Sequence, residues 1–192
     1  MEHNEAKGGA IEYGEEEEQA VGHGEEKEPA VDRYEINLAS SGGKSWLERM
    51  KRVLGKSVHI RHVDSGSCNG CDWEMTHLLN SIYDVQRLGF DFVASPRHAD
   101  FLMVTGGVTR NLETALRRTY AATPEPRVVV AVGTCACSGG VFQDSYAVAG
   151  GVDKIVPVQV YIPGCPPRPQ ALIQGLMLAL DKMEQKSHST GS

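Results

Sequence analysis

Long apolar segments are missing from this chain of 192 residues. No run of about 18 apolar residues occurs, so the sequence predicts no membrane-spanning helix. The N-terminus also lacks a basic stretch followed by an apolar one; no secretory signal is visible, and a cytoplasmic location is expected. Aromatic residues make up only 6% of the chain, and no interleaved aromatic and basic pattern indicates nucleic-acid binding.

The negative charge of the chain is concentrated at one end. The formal net charge is −6, but residues 1–35 carry twelve acidic and three basic side chains, which leaves a charge of +3 for the remainder. Residues 1–40 also contain few large apolar side chains, and such a segment cannot bury enough surface to offset its ordering entropy. We expect a disordered acidic tail, either solvated without a specific role or used for docking or assembly.

Residues 41–56 predict a short amphipathic basic helix. Trp46, Leu47 and Met50 recur at helical spacing, and arginine and lysine occupy most of the intervening positions. A helix of this type could lie on a membrane or on a membrane subunit, or it could pack on its own domain.

Strand-like and helix-like patterns alternate from residue 57 onward. Predicted strands cover residues 58–63, 90–94, 101–105, 127–132 and 156–162, and predicted helices cover residues 74–85, 112–122 and 167–185. This alternation is typical of an α/β fold with a parallel sheet and helices on both faces. We therefore expect a single domain over residues 57–186, followed by a disordered C-terminus over residues 187–192.

Four of the five cysteines lie in short turns that contain glycine. They are Cys68, Cys71, Cys135 and Cys165. Each turn follows a predicted strand, and in open parallel sheets ligands bind at the carboxyl ends of the strands. Three loops that are far apart in sequence are therefore expected to converge on one site. Four thiolates are the ligand set of an iron–sulfur cluster, and soft sulfur ligands also suit zinc.

Two other interpretations of these cysteines stay open at this point. A zinc site with four cysteines usually draws on paired ligands, and only the Cys68–Cys71 pair is present. A thioredoxin-like redox pair would leave Cys135 and Cys165 without a role. Gly70 is expected to let the first turn curl so that both of its sulfurs face one site. The spacing alone does not choose between Cys135 and Cys137 as a ligand.

Three motifs in order carry a resemblance to a known superfamily. They are Cys68-x-x-Cys71-x-x-Glu74-Met75, Gly133-Thr134-Cys135-Ala136 and Pro163-Gly164-Cys165-Pro166-Pro167-Arg168-Pro169. Together they resemble the group that unites the cluster-bearing 20 kDa subunit of complex I with the small subunits of [NiFe] hydrogenases, over roughly residues 57–180. The resemblance implies a flavodoxin-like domain holding one [4Fe–4S] cluster. Its ligands would be Cys68, Cys71, Cys135 and Cys165, with Cys137 as an inert neighbour.

Details of these motifs favour one branch of that superfamily. Complex I subunits normally carry two adjacent cysteines in the first motif, whereas Asn69 and Gly70 separate them here, as in hydrogenase small subunits. The Arg168-Pro169 ending and the short length are similar to the complex I side. No cysteine follows Cys165, so the domain with two further clusters that some hydrogenase small subunits carry is not expected. The combination resembles the small subunit of membrane-bound, energy-converting [NiFe] hydrogenases of the formate hydrogenlyase type.

This resemblance implies an electron-relay subunit between a ferredoxin-like subunit and the NiFe large subunit of a membrane-bound hydrogenase. It would lie peripherally on the cytoplasmic side of the cell membrane. The alternative is the 20 kDa subunit of a complex I-like NADH/quinone oxidoreductase, which donates electrons to quinone. A zinc scaffold is a third hypothesis. Glu74 lies one helical turn after Cys71 and is a candidate proton relay, or else a carboxylate stabilised by the helix dipole.

Overall fold

Seven strands and four α-helices form the part of the chain that the computed structural model describes, residues 57–189. The strands are β1 (Val58–Asp64), β2 (Phe90–Phe92), β3 (Phe101–Thr105), β4 (Val108–Thr109), β5 (Val128–Val132), β6 (Val148–Gly150) and β7 (Val160–Ile162). The helices are α1 (Gly70–His77), α2 (Arg110–Ala122), α3 (Thr134–Ser138) and α4 (Pro169–Ser189). Short 3-10 helices occur at Pro96–His98, Gly140–Phe142 and Val152–Lys154.

Five of these strands form one parallel sheet in the order β2-β1-β3-β5-β7. β4 and β6 pair separately as a small antiparallel ladder. Counted within the main sheet alone, the order is 2-1-3-4-5, which is the flavodoxin-like arrangement. The predicted fold class is therefore confirmed. β2 lies on one side of β1, and β3 lies on the other side. The strand order therefore reverses at β1, and the carboxyl ends of β1 and β3 flank this switch point. Ligands bind at such switch points in sheets of this kind.

The central strands of the sheet carry apolar side chains on both faces. Helices cover both faces and bury these side chains. Along β3, Phe101 and Met103 contribute to a first core, while Leu102 and Val104 contribute to a second core on the opposite face. The first core also contains residues of α1 and α4, and the second core contains residues of α2 and α3. The continuous valine run of β5 is buried in the same alternating way.

The first helix is shorter than predicted and begins earlier. α1 ends at His77, whereas the sequence predicted a helix over residues 74–85. The side-chain oxygen of Asn80 accepts hydrogen bonds from the backbone N–H groups of Ile82 and Tyr83, at 3.0 Å each. This local bonding by an asparagine side chain competes with helix formation, so the chain turns at that point.

The last strand and the last helix also differ from the predicted bounds. β7 is limited to Val160–Ile162 instead of residues 156–162, and Pro157 in the missing part has no N–H group to give to a ladder. The side chain of Gln159 instead accepts a hydrogen bond from the backbone N–H of Val129 at 2.7 Å. α4 begins at Pro169, a position where the fixed φ of proline suits the first turn.

Several predicted segments lie outside the described residues. They are the acidic tail at residues 1–40, the amphipathic basic helix at residues 41–56, and residues 190–192 of the predicted disordered C-terminus. Residues 187–189 of that predicted C-terminus belong to α4, which ends at Ser189. Across residues 57–189, none of the helices combines the length and the apolar character that crossing a membrane requires.

Candidate iron–sulfur site

Three cysteine-bearing loops meet at the carboxyl edge of the parallel sheet. One loop follows β1, one follows β5 and one follows β7. They enclose a cavity of about 130 Å³ whose lining includes the predicted ligands Cys68, Cys71, Cys135 and Cys165. The predicted convergence of the four cysteines is therefore present in the structure. Backbone from Gly106, at the end of β3, closes the cavity on another side.

The first loop is folded by short-range hydrogen bonds. The Asp64 carboxylate accepts from the backbone N–H groups of Gly66 and Ser67, at 2.8 and 2.7 Å. The left-handed conformation that curls this loop falls on Asn69, with φ 67°, and not on Gly70 as the sequence suggested. Gly70 instead begins α1. Asparagine adopts this conformation more readily than most residues, because its short polar side chain bonds locally.

The two distant loops are joined to each other by their backbones. The Thr134 N–H and hydroxyl both donate to the Gly164 carbonyl, at 2.8 and 3.1 Å. The Gly133 N–H donates to the Ile162 carbonyl at 2.8 Å. Cys135 in α3 and Cys165 after β7 are thereby held at a fixed separation, although thirty residues of chain divide the bonded positions Thr134 and Gly164.

Glycine is required where the loops approach each other most closely. A Cβ atom on Gly133, which has φ +85°, would lie 2.5 Å from the Cys71 Sγ atom. A Cβ atom on Gly106, which has φ +79°, would lie 2.4 Å from the backbone nitrogen of Ser67. Side chains at these positions would intrude on the cysteine loops, so the two glycines preserve the shape of the cavity.

Two of the thiols in this cavity, those of Cys71 and Cys135, have raised pKa values. Burial, together with the negative charges of Asp72 and of the other cavity cysteines, raises the pKa of the Cys71 thiol to about 12. Burial, followed by the charges of Cys165 and Cys68, also raises the pKa of Cys135. Four thiolates crowded into this space therefore need bound cations to compensate their charge.

Cys137 does not line the cavity. Its half-buried side chain packs against the second core, and its thiol donates to the Ala131 carbonyl at 3.7 Å. Burial raises its pKa to about 11. Of the two cysteines that the spacing left open, the structure brings Cys135 and not Cys137 to the other three.

Glu74 lies on α1, three residues beyond Cys71, and is not among the residues that line the cavity. One of its carboxylate oxygens lies 3.6 Å from the Nδ1 atom of His77. The Glu74 side chain is 26% exposed and that of His77 is 52% exposed, so the pair faces the outside of the domain.

A hydrogen-bond network beside the cavity was not foreseen from the sequence. The Asp72 carboxylate contacts the Ser67 hydroxyl, the Thr105 hydroxyl at 2.9 Å and the His62 Nε2 atom at 2.8 Å. Burial lowers the pKa of His62, while the charges of Asp72 and Asp64 oppose that shift. The only sequence signal was an acidic residue directly after Cys71, because its partners come from separate elements.

The donor set fits an iron–sulfur cluster. Within residues 57–189, no group of three or more His, Cys, Asp or Glu side chains is close enough together to hold a single metal ion. The four cysteines line one cavity, and thiolate sulfurs are the ligands of iron–sulfur clusters. A zinc site needs all four sulfurs about 2.3 Å from one ion, whereas each iron of a cluster binds its own cysteine.

Three relatives match most of this chain. The chain is 46% identical over 147 residues to "Formate hydrogenlyase subunit 7" of Escherichia coli (strain K12), covering 77% of this chain and 56% of that protein, so it spans little more than half of that relative. It is 44% identical to "Probable membrane-bound hydrogenase subunit mbhJ" of Pyrococcus furiosus, covering 71% and 82%. It is 48% identical to an NADH-quinone oxidoreductase subunit of Geobacter sp. (strain M21), covering 64% and 71%.

A solved structure agrees with these relatives. A chain of the membrane-bound sulfane sulfur reductase, an archaeal respiratory membrane complex, superposes with a TM-score of 0.61 at 35% identity, covering 73% of this chain and 77% of that chain. The relatives are subunits of oxidoreductase complexes. Residues 68–179, which include all five cysteines, match a family described as "NADH ubiquinone oxidoreductase, 20 Kd subunit". The chain belongs to this family of oxidoreductase subunits, whose members are associated with iron–sulfur clusters in complex I and in hydrogenases.

Proposed function

We propose that the chain holds one [4Fe–4S] cluster through Cys68, Cys71, Cys135 and Cys165 and serves as an electron-relay subunit. The observation that carries this proposal is the single cavity lined by these four cysteines from three separate loops. When bound, such a cluster accepts and releases one electron at a time. The chain supplies the thiolate ligands, the loop geometry and the burial that tunes the potential.

The surroundings of the cavity suit a relay across a protein interface. Cys68 and Cys165 lie on its exposed side. Large apolar side chains stand nearby in the chain, since Trp73 on α1 is 66% exposed and Val141, directly after Gly140, is 89% exposed. A Cβ atom on Gly140 would lie 3.1 Å from the Cys135 Sγ atom, which places this apolar segment beside the cluster ligands. A partner subunit that covers these side chains would approach the cluster closely.

The relatives and the first motif support a hydrogenase setting. In this setting the chain passes electrons between a ferredoxin-like subunit and the NiFe large subunit of a membrane-bound hydrogenase complex. Two relatives carry hydrogenase or formate hydrogenlyase names, and Asn69 and Gly70 separate Cys68 from Cys71. The chain would lie peripherally on the cytoplasmic side of the membrane, held by the membrane subunits of the complex.

A quinone-linked setting is the second candidate, because the NADH-quinone oxidoreductase subunit of Geobacter sp. is 48% identical. In this setting the chain is the 20 kDa subunit of a complex I-like oxidoreductase and donates electrons to quinone. The large partner distinguishes the two settings. A hydrogenase partner would bind nickel, and a quinone-linked partner would not.

Glu74 is proposed as a proton relay on the partner-facing side of α1. Its support is its position one helical turn after Cys71 and its partial burial. The alternative is a surface carboxylate that pairs with His77 and stabilises the helix. A Glu74→Gln variant separates these roles. A proton relay predicts a loss of turnover with unchanged cluster spectra and stability, whereas the alternative predicts no loss of turnover.

Quantitative metal analysis of the intact complex tests the proposed function. The complex is purified anaerobically through a tag on this chain, and iron, nickel, zinc and acid-labile sulfide are measured. Iron and sulfide with stoichiometric nickel support the hydrogenase setting. Iron and sulfide without nickel, in a complex of the same subunit content, support the quinone-linked setting. Zinc in place of iron would refute the cluster.

A further inference from the structure

Asp72 sits at the junction between the first cysteine loop and the sheet. It is in the first turn of α1, directly after Cys71, and its side chain is 21% exposed. One carboxylate oxygen accepts from the Ser67 hydroxyl. The other accepts from the Thr105 hydroxyl at 2.9 Å and lies 2.8 Å from the His62 Nε2 atom. Both oxygens of this carboxylate are thus engaged.

The partners of Asp72 belong to three different parts of the fold. His62 is on β1, Ser67 is in the cysteine loop, and Thr105 is the last residue of β3 and is fully buried. A second layer fixes Thr105 in turn, because the Ser65 hydroxyl donates to the Thr105 carbonyl at 2.7 Å. One carboxylate therefore connects the start of α1 to the carboxyl ends of the two strands that flank the switch point.

We propose that Asp72 is a positioning residue for the cluster: it fixes the turn that carries Cys68 and Cys71 against the sheet and places a negative charge beside the ligand Cys71. This inference rests on the proposed function, because it assumes a cluster in the cavity. An acidic residue in the first turn of a helix also stabilises the helix. That simpler role needs none of the three side-chain partners and would not set the properties of the cluster.

The charge of Asp72 is not cancelled by its neighbours. Burial lowers the pKa of His62, so its imidazole stays neutral near pH 7. Among the other charged groups that act on His62, Asp64 is negative and Arg61 is positive. A carboxylate beside Cys71 disfavours the more negative, reduced form of the cluster, and charges act strongly inside a protein because screening is weak. Asp72 therefore lowers the reduction potential.

An Asp72→Asn variant, made in the intact tagged complex, tests both parts of the inference. Asparagine keeps the side-chain shape but removes the charge and cannot accept all three hydrogen bonds. We expect a shift of the cluster to a higher potential in a redox titration and an altered EPR line shape of the reduced cluster. The control is Glu113→Gln, which removes the same charge from α2, where Glu113 pairs with Arg117. It should leave both signals unchanged. A potential and line shape in Asp72→Asn equal to those of the unmodified complex would overturn the inference.

If the Asp72→Asn variant does not bind iron, a second pair of variants tests the positioning role of Asp72. Thr105→Val removes the hydroxyl that donates to Asp72 at nearly the same volume, and Thr105→Ser retains that hydroxyl. We expect an altered EPR line shape in Thr105→Val at full iron content, and the original line shape in Thr105→Ser. Identical spectra for both variants and the unmodified complex would refute the positioning role. An unmodified complex without iron would instead refute the proposed function, so the two failures are distinguishable.

Discussion

Gly133 and Cys71 approach each other so closely that no side chain fits between them, because a Cβ atom on Gly133 would lie 2.5 Å from the Cys71 Sγ atom. The two residues come from the loops after β5 and β1. Their close approach shows that two of the three cysteine loops pack directly against each other. It also makes Gly133 a position in the site where an added side chain meets a cysteine sulfur directly.

A Gly133→Ala substitution is expected to displace Cys71 and abolish cluster binding. The control is Gly89→Ala, since Gly89 has a φ of 86° against 85° for Gly133 and lies before β2, away from the residues that line the cavity. Both variants place alanine at a positive φ, and Gly133, with ψ 158°, lies in a backbone region that is occupied essentially by glycine alone. Iron content and urea unfolding separate the effects. Equal iron loss in both variants would show that backbone strain, not the contact with Cys71, is responsible.

The two neighbouring cysteines of α3 should respond differently to substitution. Cys135→Ser is expected to lose or convert the cluster, because Cys135 lines the cavity. Cys137→Ser should retain it, because Cys137 packs against the second core instead. Iron, acid-labile sulfide and the EPR spectrum of the reduced protein are the measurements. Loss of iron in both variants to the same extent would contradict the ligand assignment.

Asn69, and not Gly70, adopts the left-handed conformation in the first cysteine loop. Substitution of Asn69 tests this assignment. Asn69→Ala should lower the free energy of unfolding by about 1 kcal/mol, because alanine adopts the left-handed conformation less readily than asparagine. Asn69→Gly should be tolerated better, since glycine adopts positive φ freely. Chemical unfolding of both variants under identical conditions gives the comparison. A Gly variant less stable than the Ala variant would contradict the assignment.

The stability of the cluster-free protein should fall at alkaline pH. The Cys71 thiol ionises near its ordinary pKa of 9.0 in the unfolded chain, whereas in the folded chain its pKa is about 12. Between these two pKa values the folded state keeps a proton that the unfolded state loses. The contribution of this proton to the free energy of unfolding is therefore complete below pH 9 and declines as the pH rises toward 12. Urea unfolding at several pH values should show a shallower decline in Cys71→Ala. An identical decline in both proteins would contradict the prediction.

The sequence was sufficient to predict the sheet, the edge at which the site forms and the four cysteines that line the cavity. Buried valine runs identify interior strands, and loops at the carboxyl ends of parallel strands necessarily meet. The sequence did not predict the residue at which α1 ends or the hydrogen bonds that Asp72 forms. Asn80 stops the helix through its own side chain, and Thr105 reaches Asp72 only once β3 lies beside β1. Such contacts depend on the assembled fold and leave little periodic signal.

The strand order also has a consequence for the order of events during synthesis. Cys68 precedes nearly the whole sheet in the chain, whereas Cys165 follows β7, the last strand of that sheet. The pairing of β7 with β5 is required before Cys165 reaches the other three sulfurs. Contacts between distant segments form slowly. In a nascent chain on the ribosome, the proposed ligand set is therefore incomplete until β7 has emerged and paired.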